Sequence, residues 1–139
     1  MDTLVDLNVP ALSLDFINKD HTEAAALIRQ IDQVIHEIHQ ADLVFVDELN
    51  ELLCSLFRSQ RDHFMREEQA MANAGYPAFH IHKQEHNRLL NELTSLMDHW
   101  KKYQDIDSVA LYMREIFPNW FSNHIKQMDR VCADYISSR

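Results

Sequence analysis

Between Leu49 and Met71 a single helical face can be read from the chain. Leu49, Leu53, Leu56, Gln60, His63, Glu67 and Met71 recur at intervals of three and four, the spacing that lines one side of an α-helix. The stripe begins apolar and turns polar. A face that buries Gln, His and Glu must supply partners for them, because an unpartnered buried polar group is costly. The stripe therefore demands a long helix held against others, with a polar site towards one of its ends.

The rest of the chain supplies the other helices. From Asp20 to about Gln40, Ala24, Leu27, Ile28, Ile31, Ile35 and Ile38 keep the same period, with His21 one turn ahead on the same stripe. A third face reads His82, His86, Leu89, Leu93, Leu96 and Trp100. A fourth carries Leu111, Phe117, Trp120, Phe121, His124, Ile125, Met128 and Val131. Gly75-Tyr76-Pro77 separates the second and third helices, since Gly suits the position after a helix and Pro the start of the next. Asp105-Ile106-Asp107-Ser108 reads as a turn with an N-cap. With one Gly and three Pro in 139 residues, a turn-rich β fold is disfavoured.

The expectation is all-α: an antiparallel up-down-up-down four-helix bundle in one domain, 1–139, with an extended N-terminal arm. The arm covers about 1–18 and the helices about 20–40, 42–73, 77–103 and 108–137. Pro118 falls inside the last helix, where it removes a backbone bond and predicts a kink.

A net charge of −9 argues against nucleic acid and anionic membrane surfaces as partners. No uncharged apolar run is long enough for a membrane span, and no basic-then-apolar N-terminal signal is seen. Cys54 and Cys132 show no metal or disulfide spacing. They read as packing thiols in a reducing compartment, which points to the cytoplasm.

Imidazoles and carboxylates at helical spacing are what a site offers to iron, zinc or manganese. His63 and Glu67 are four apart, as are His82 and His86, so each pair shares a helix face. In an antiparallel bundle His63 and Glu67, before the second loop, stand level with His82 and His86 after it. His21 and His124 reach the same end. His124 and Asp129 are five apart, about 140° round a regular α-helix. If both face one centre, the helix must widen to i→i+5 bonding between 124 and 129. His36, His39, His80 and His99 fall outside this set and read as surface residues.

The ordered set His21, His63-x3-Glu67, His82-x3-His86, His124-x4-Asp129 resembles the full ligand signature of the hemerythrin family, close to its single-domain bacteriohemerythrins. Glu67-Glu68-x2-Met71, Gly75-Tyr76-Pro77, His82-x3-His86-x2-Leu89 and Trp120-x3-His124-Ile125 extend the likeness over about residues 12–136. The resemblance implies two non-haem iron ions joined by an oxo or hydroxo bridge, with Glu67 and Asp129 each bridging both. It implies that His82, His86 and His124 bind one iron, and that His21 and His63 bind the other. An open position beside His21 and His63 would take dioxygen.

The function so implied is reversible dioxygen binding, for carriage, storage or delivery, and not enzyme catalysis. Its alternatives are oxygen or redox sensing, or a stress enzyme acting on peroxide or nitric oxide. Partners in view are dioxygen and an oxygen-consuming enzyme or signalling protein, with the chain a monomer or weak oligomer. Ferritin-type oxygenases use more carboxylates and Glu-x-x-His pairs, and no inward pair of that kind is found here. Phe64, Trp120, Phe121 and Ile125 are the candidate oxygen-pocket wall. Phe121 stands where the family usually has Leu, and Cys132 where a Tyr is common.

Overall fold

A computed structural model describes residues 9–39 and 45–139. It contains helix α1 (Asp15–His39), α2 (Val46–Ala74), α3 (Phe79–Tyr103) and a fourth helix over 106–137. Each of the first three packs along its neighbour in sequence, and the fourth closes against both α1 and α3. Neighbours joined by short loops run antiparallel, so this is the expected up-down-up-down bundle. Among the described residues there is no strand, and no helix is long and apolar enough to cross a membrane.

The arm is shorter than expected, because α1 begins at Asp15 and not at Asp20. Ile17 is fully buried and extends the inward stripe of His21 and Ala24 by one turn. The Asn18 side chain receives the Leu12 N–H and donates to the Leu12 carbonyl, which fastens the arm to that first turn. The expected start of α2 at Asp42 lies outside the described residues.

Gly75 ends α2 at φ 65°, its N–H on the Ala72 carbonyl and that of Tyr76 on Met71. This 5→2 and 6→1 pair satisfies the last carbonyls and needs a left-handed residue, which Gly supplies without strain. Pro77 lies in the turn, and α3 starts at Phe79. The fourth helix starts at Ile106, earlier than 108, because Asp105 is the cap and accepts from the Ser108 N–H.

The fourth helix is three α segments, α4 (Ile106–Leu111), α5 (Phe117–His124) and α6 (Arg130–Ser137), joined by π turns at Tyr112–Ile116 and Ile125–Asp129. The widened bonds are Phe117 N–H to the Tyr112 carbonyl and Arg130 N–H to that of Ile125. Pro118 follows the first π turn with only Phe117 between. Its ring would meet the carbonyl of Arg114 in a regular helix, and Arg114 lies inside the widened segment. The helix therefore continues through Pro118. Each π turn also inserts a residue into the register. Leu111 and Val131, placed on the inner stripe by a 3.6-residue period, are 53% and 57% exposed, while Tyr112, Met113, Cys132 and Ala133 turn inward.

The large apolar core fills the bundle from Ala24 and Leu89 towards the Trp100 end. A second, small cluster of Met71, Tyr76 and Cys132 lies at the opposite end. On α2, α3 and the fourth helix, Glu67, His82, His86 and Asp129 fall between members of the two clusters in sequence, while on α1 the buried Ile17 lies beyond His21.

Candidate metal centre

All seven ligand-type residues come together, and none is more than 5% exposed. α1 contributes His21, α2 His63 and Glu67, α3 His82 and His86, and the fourth helix His124 and Asp129. The widening expected between 124 and 129 is present as the second π turn. It brings Nε2 of His124 within 2.9 Å of Oδ1 of Asp129.

The two carboxylates divide their oxygens. Oδ1 of Asp129 lies 3.0 Å from Nε2 of His82, on the His124 side, whereas Oδ2 lies 2.8 Å from Nε2 of His21. Oε1 of Glu67 is 3.1 Å from Nε2 of His82 and 3.0 Å from Nε2 of His86. Its Oε2 faces Nε2 of His63 at 4.0 Å. Two groups able to hold a cation result: Glu67, His82, His86, His124 and Asp129, with ligand atoms within 4.8 Å of one another, and His21, His63 and Asp129.

The donor set fits metal ions better than it fits itself. Both Glu67 oxygens and Nε2 of His86 are buried without a properly angled hydrogen bond, despite their close approach. Buried polar atoms are rarely left so. Nε2 of His82 and of His124 converge to 3.2 Å. Donor atoms aimed at a common point suit a bound cation, with imidazole and carboxylate the usual donors for transition metals.

Two further carboxylates orient the imidazoles. Nδ1 of His63 donates to Oδ2 of Asp20 at 2.9 Å, and Nδ1 of His86 donates to Oε2 of Glu68 at 2.8 Å. A proton held at Nδ1 leaves Nε2 as the free lone pair facing inward. Arg66 also donates to Asp20, at 3.0 Å from Nε. Burial pushes the Asp20 carboxyl up, but His63 and Arg66 outweigh it and hold it low.

Burial also works against charge at Asp129 and Glu67. At Asp129 the His124, His21 and His82 contacts overcome it and hold the carboxyl well below its usual range. At Glu67 burial and the neighbouring Asp129 charge both oppose ionisation, yet His82 and His86 still hold it low. Burial likewise disfavours a charged His82, but Asp129, Cys132 and Glu67 raise it to about 12. His63 is raised despite burial, by Asp20 first. Anionic carboxylates thus face imidazoles that hold protons, and a cation can take the place of those protons. The buried Cys132 thiol lies against His82, and burial pushes its pKa up.

Aromatic side chains wall this centre. The Phe64 ring stacks on His86 at 3.9 Å and 4°. Trp120 stacks on His124 at 4.5 Å and 16°. Phe121 meets His21 edge-on at 5.8 Å. Ile125 is buried beside His124, and Trp120 is the half-buried member. His39 and His99 pair instead with Asp107 and Asp105, and His80 is exposed beside Phe79.

The stripe pattern does not mark Asp20. It directly precedes His21, about 100° round the helix, which a reading by faces assigns to solvent. Its signal is the acid next to a ligand-type position on a helix that packs along α2.

The Hemerythrin HHE cation binding domain matches residues 12–136. The chain belongs to the hemerythrin family. Among hemerythrin-family relatives, a Bacteriohemerythrin from Aquifex aeolicus is 29% identical over 122 residues, 87% of this chain and 88% of that protein. A Bacteriohemerythrin from Stenotrophomonas maltophilia is 24% identical over 134 residues, covering 96% and 79% respectively. One from Ralstonia nicotianae is 29% identical over 79 residues, 55% of each chain. No solved structure matches.

Proposed function

We propose that this chain binds dioxygen reversibly at two iron ions, for carriage, storage or delivery. The observation that carries the reading is the division of the Glu67 and Asp129 oxygens between a three-histidine and a two-histidine set. His82, His86 and His124 would hold one iron, His21 and His63 the other, and the two carboxylates both. Such a pair of ions, when bound, supplies two electrons to dioxygen and takes them back on release.

The remaining work falls to the chain. Unequal histidine counts leave room for an outside ligand on the His21 and His63 side. Phe64, Phe121 and Ile125 exclude water there, and a dry surround protects a reduced oxygen ligand from stray protons. Asp20 and Glu68 fix their imidazoles in the ligating tautomer. Five neutral imidazoles against two carboxylates give a donor set poor in negative charge, which suits binding and release more than the making of a strong oxidant. Cys54 and Cys132 are both free, in keeping with a reducing cytoplasm.

The test is spectroscopic. Reduced, iron-loaded protein exposed to dioxygen should develop visible charge-transfer bands and lose them under vacuum, over repeated cycles. Direct oxidation with no reversible stage would reject oxygen carriage.

A further inference from the structure

One line of aromatic rings leaves the metal centre and ends at the wall of a cavity. Trp120 stacks on His124 at 4.5 Å. Phe117 continues the line from Trp120 at 5.9 Å and 28°, and Tyr112 follows at 6.2 Å and 33°. Tyr112 lies at the edge of a cavity of about 660 Å³, together with Glu92, Arg88 and His99. The first π turn is what brings Tyr112 inward, since it begins that segment while its neighbour Leu111 faces out.

The polar groups along this line are matched to it. The Trp120 indole N–H donates to Oε1 of Glu85 at 2.6 Å, and the Tyr112 hydroxyl donates to Oε1 of Glu92 at 3.0 Å. Arg88 lies between and binds both carboxylates. The two ring types that can give up an electron therefore each carry a carboxylate on their acidic hydrogen. Phe117, which cannot be oxidised at comparable potentials, is only the medium between them. Tyr76, the other buried tyrosine, has no carboxylate on its hydroxyl among the described residues.

We propose that Tyr112 is a redox-active side chain, coupled through Trp120 and Phe117 to the metal centre, and that it gives up an electron when the iron-loaded protein meets hydrogen peroxide. The proposal rests on the di-iron reading. Hydrogen peroxide is the oxidant: its O–O bond breaks with two electrons and two protons to give two waters. With one iron ferrous and the other already ferric, the ferrous ion supplies one of the two electrons and Tyr112 the other, so that no ferrous ion remains to quench the radical. The Tyr112 proton passes to Glu92, leaving a neutral phenoxyl radical, and solvent supplies the two protons consumed. Trp120 relays the electron with its own N–H still on Glu85. Burial, and then Glu92, keep the Tyr112 phenol protonated until that electron leaves. An external reductant entering the cavity can restore the phenol. The route would draw a damaging oxidising equivalent away from His82, His86 and the apolar wall.

The test is electron paramagnetic resonance of half-reduced, iron-loaded protein, one ion ferrous and one ferric, frozen after mixing with hydrogen peroxide, with iron content measured on the same samples. A tyrosine radical is expected in the parent chain, absent in Tyr112→Phe, diminished in Trp120→Phe and Glu92→Gln, and unchanged in Tyr76→Phe. Mass spectrometry after a spin trap should place the adduct on Tyr112, and metal-free protein treated alike should show none. Two iron ions bound and no tyrosine radical would overturn this proposal alone, as would a signal equally strong in Tyr112→Phe. A chain that takes up no iron would overturn the di-iron reading and this proposal with it.

Discussion

His124 and Asp129 are five residues apart in the chain and 2.9 Å apart in space, Nε2 to Oδ1. A regular α-helix would set them about 140° apart, and the π turn at Ile125–Asp129 removes that difference. The same carboxylate reaches His21 through Oδ2. Asp129 is thus the residue on which both halves of the centre depend. Asp129→Asn keeps the shape and removes the charge that both histidine sets face. Metal bound per chain, measured after dialysis, should fall at both positions together. The loss of affinity should exceed the roughly 10–100-fold typical when only a ligand's hydrogen-bond partner is removed. Loss of one ion with the other retained would show that Asp129 serves one side only.

Asp20 and Glu68 act one step back from the centre, and on different sides. Asp20 holds His63, and Glu68 holds His86. Asp20→Asn and Glu68→Gln should each weaken metal binding by about 10–100-fold, by releasing the Nδ1 proton and the ring orientation it fixes. The weakened ion should differ between the two variants, which stepwise metal titration against a chelator would resolve. Indistinguishable titrations would remove the assignment of one carboxylate to each side.

The bundle and six of the seven convergent residues could be read from period, because a stripe such as Leu49 to Met71 has to face a core and its polar members have to meet. Asp129 falls off that period and enters through the resemblance to the hemerythrin ligand set. The second π turn was legible for a different reason: His124 and Asp129 could not otherwise share a face. The first π turn offered no such pair. Nothing in Tyr112–Ile116 marks a widened turn except the downstream Pro118, and a proline signals a kink as readily. The shift of register past Leu111 was therefore hidden, and with it the inward position of Tyr112. Asp20 was hidden because period assigns faces, whereas its role comes from lying at the seam between α1 and α2.

Phe64 should matter to both stability and oxygen chemistry. Its ring lies flat on His86 and is 2% exposed. Phe64→Ala removes a buried aromatic and should cost about 3–5 kcal/mol in the metal-free protein, measured by denaturant unfolding. The vacated space also gives water a path to the centre, so loss of the oxygenated spectrum should accelerate. Phe64→Leu fills more of that space and separates the two effects. If it restores stability while oxidation stays fast, the aromatic ring itself shields the site.

Acid should detach Trp120 before it unfolds the bundle. Glu85 is pulled down to about 2, by Arg88 first and, against burial, by the Trp120 indole N–H and nearby charges. A carboxylate held lower in the folded chain than in the unfolded one stabilises the folded form above its ordinary value, here 4.5. That contribution is lost as pH falls through the folded value. Between pH 4.5 and about 2 the folded chain should therefore lose the Glu85 contribution progressively, with the Trp120 contact breaking near the lower limit. The indole N–H resonance of Trp120, followed by NMR on metal-free protein, should shift with a midpoint near 2 and not near 4.5. In Arg88→Met the midpoint should move up, because the first cause of the depression is gone. A midpoint at 4.5 in the parent chain would mean that the Arg88–Glu85–Trp120 contacts do not persist in solution.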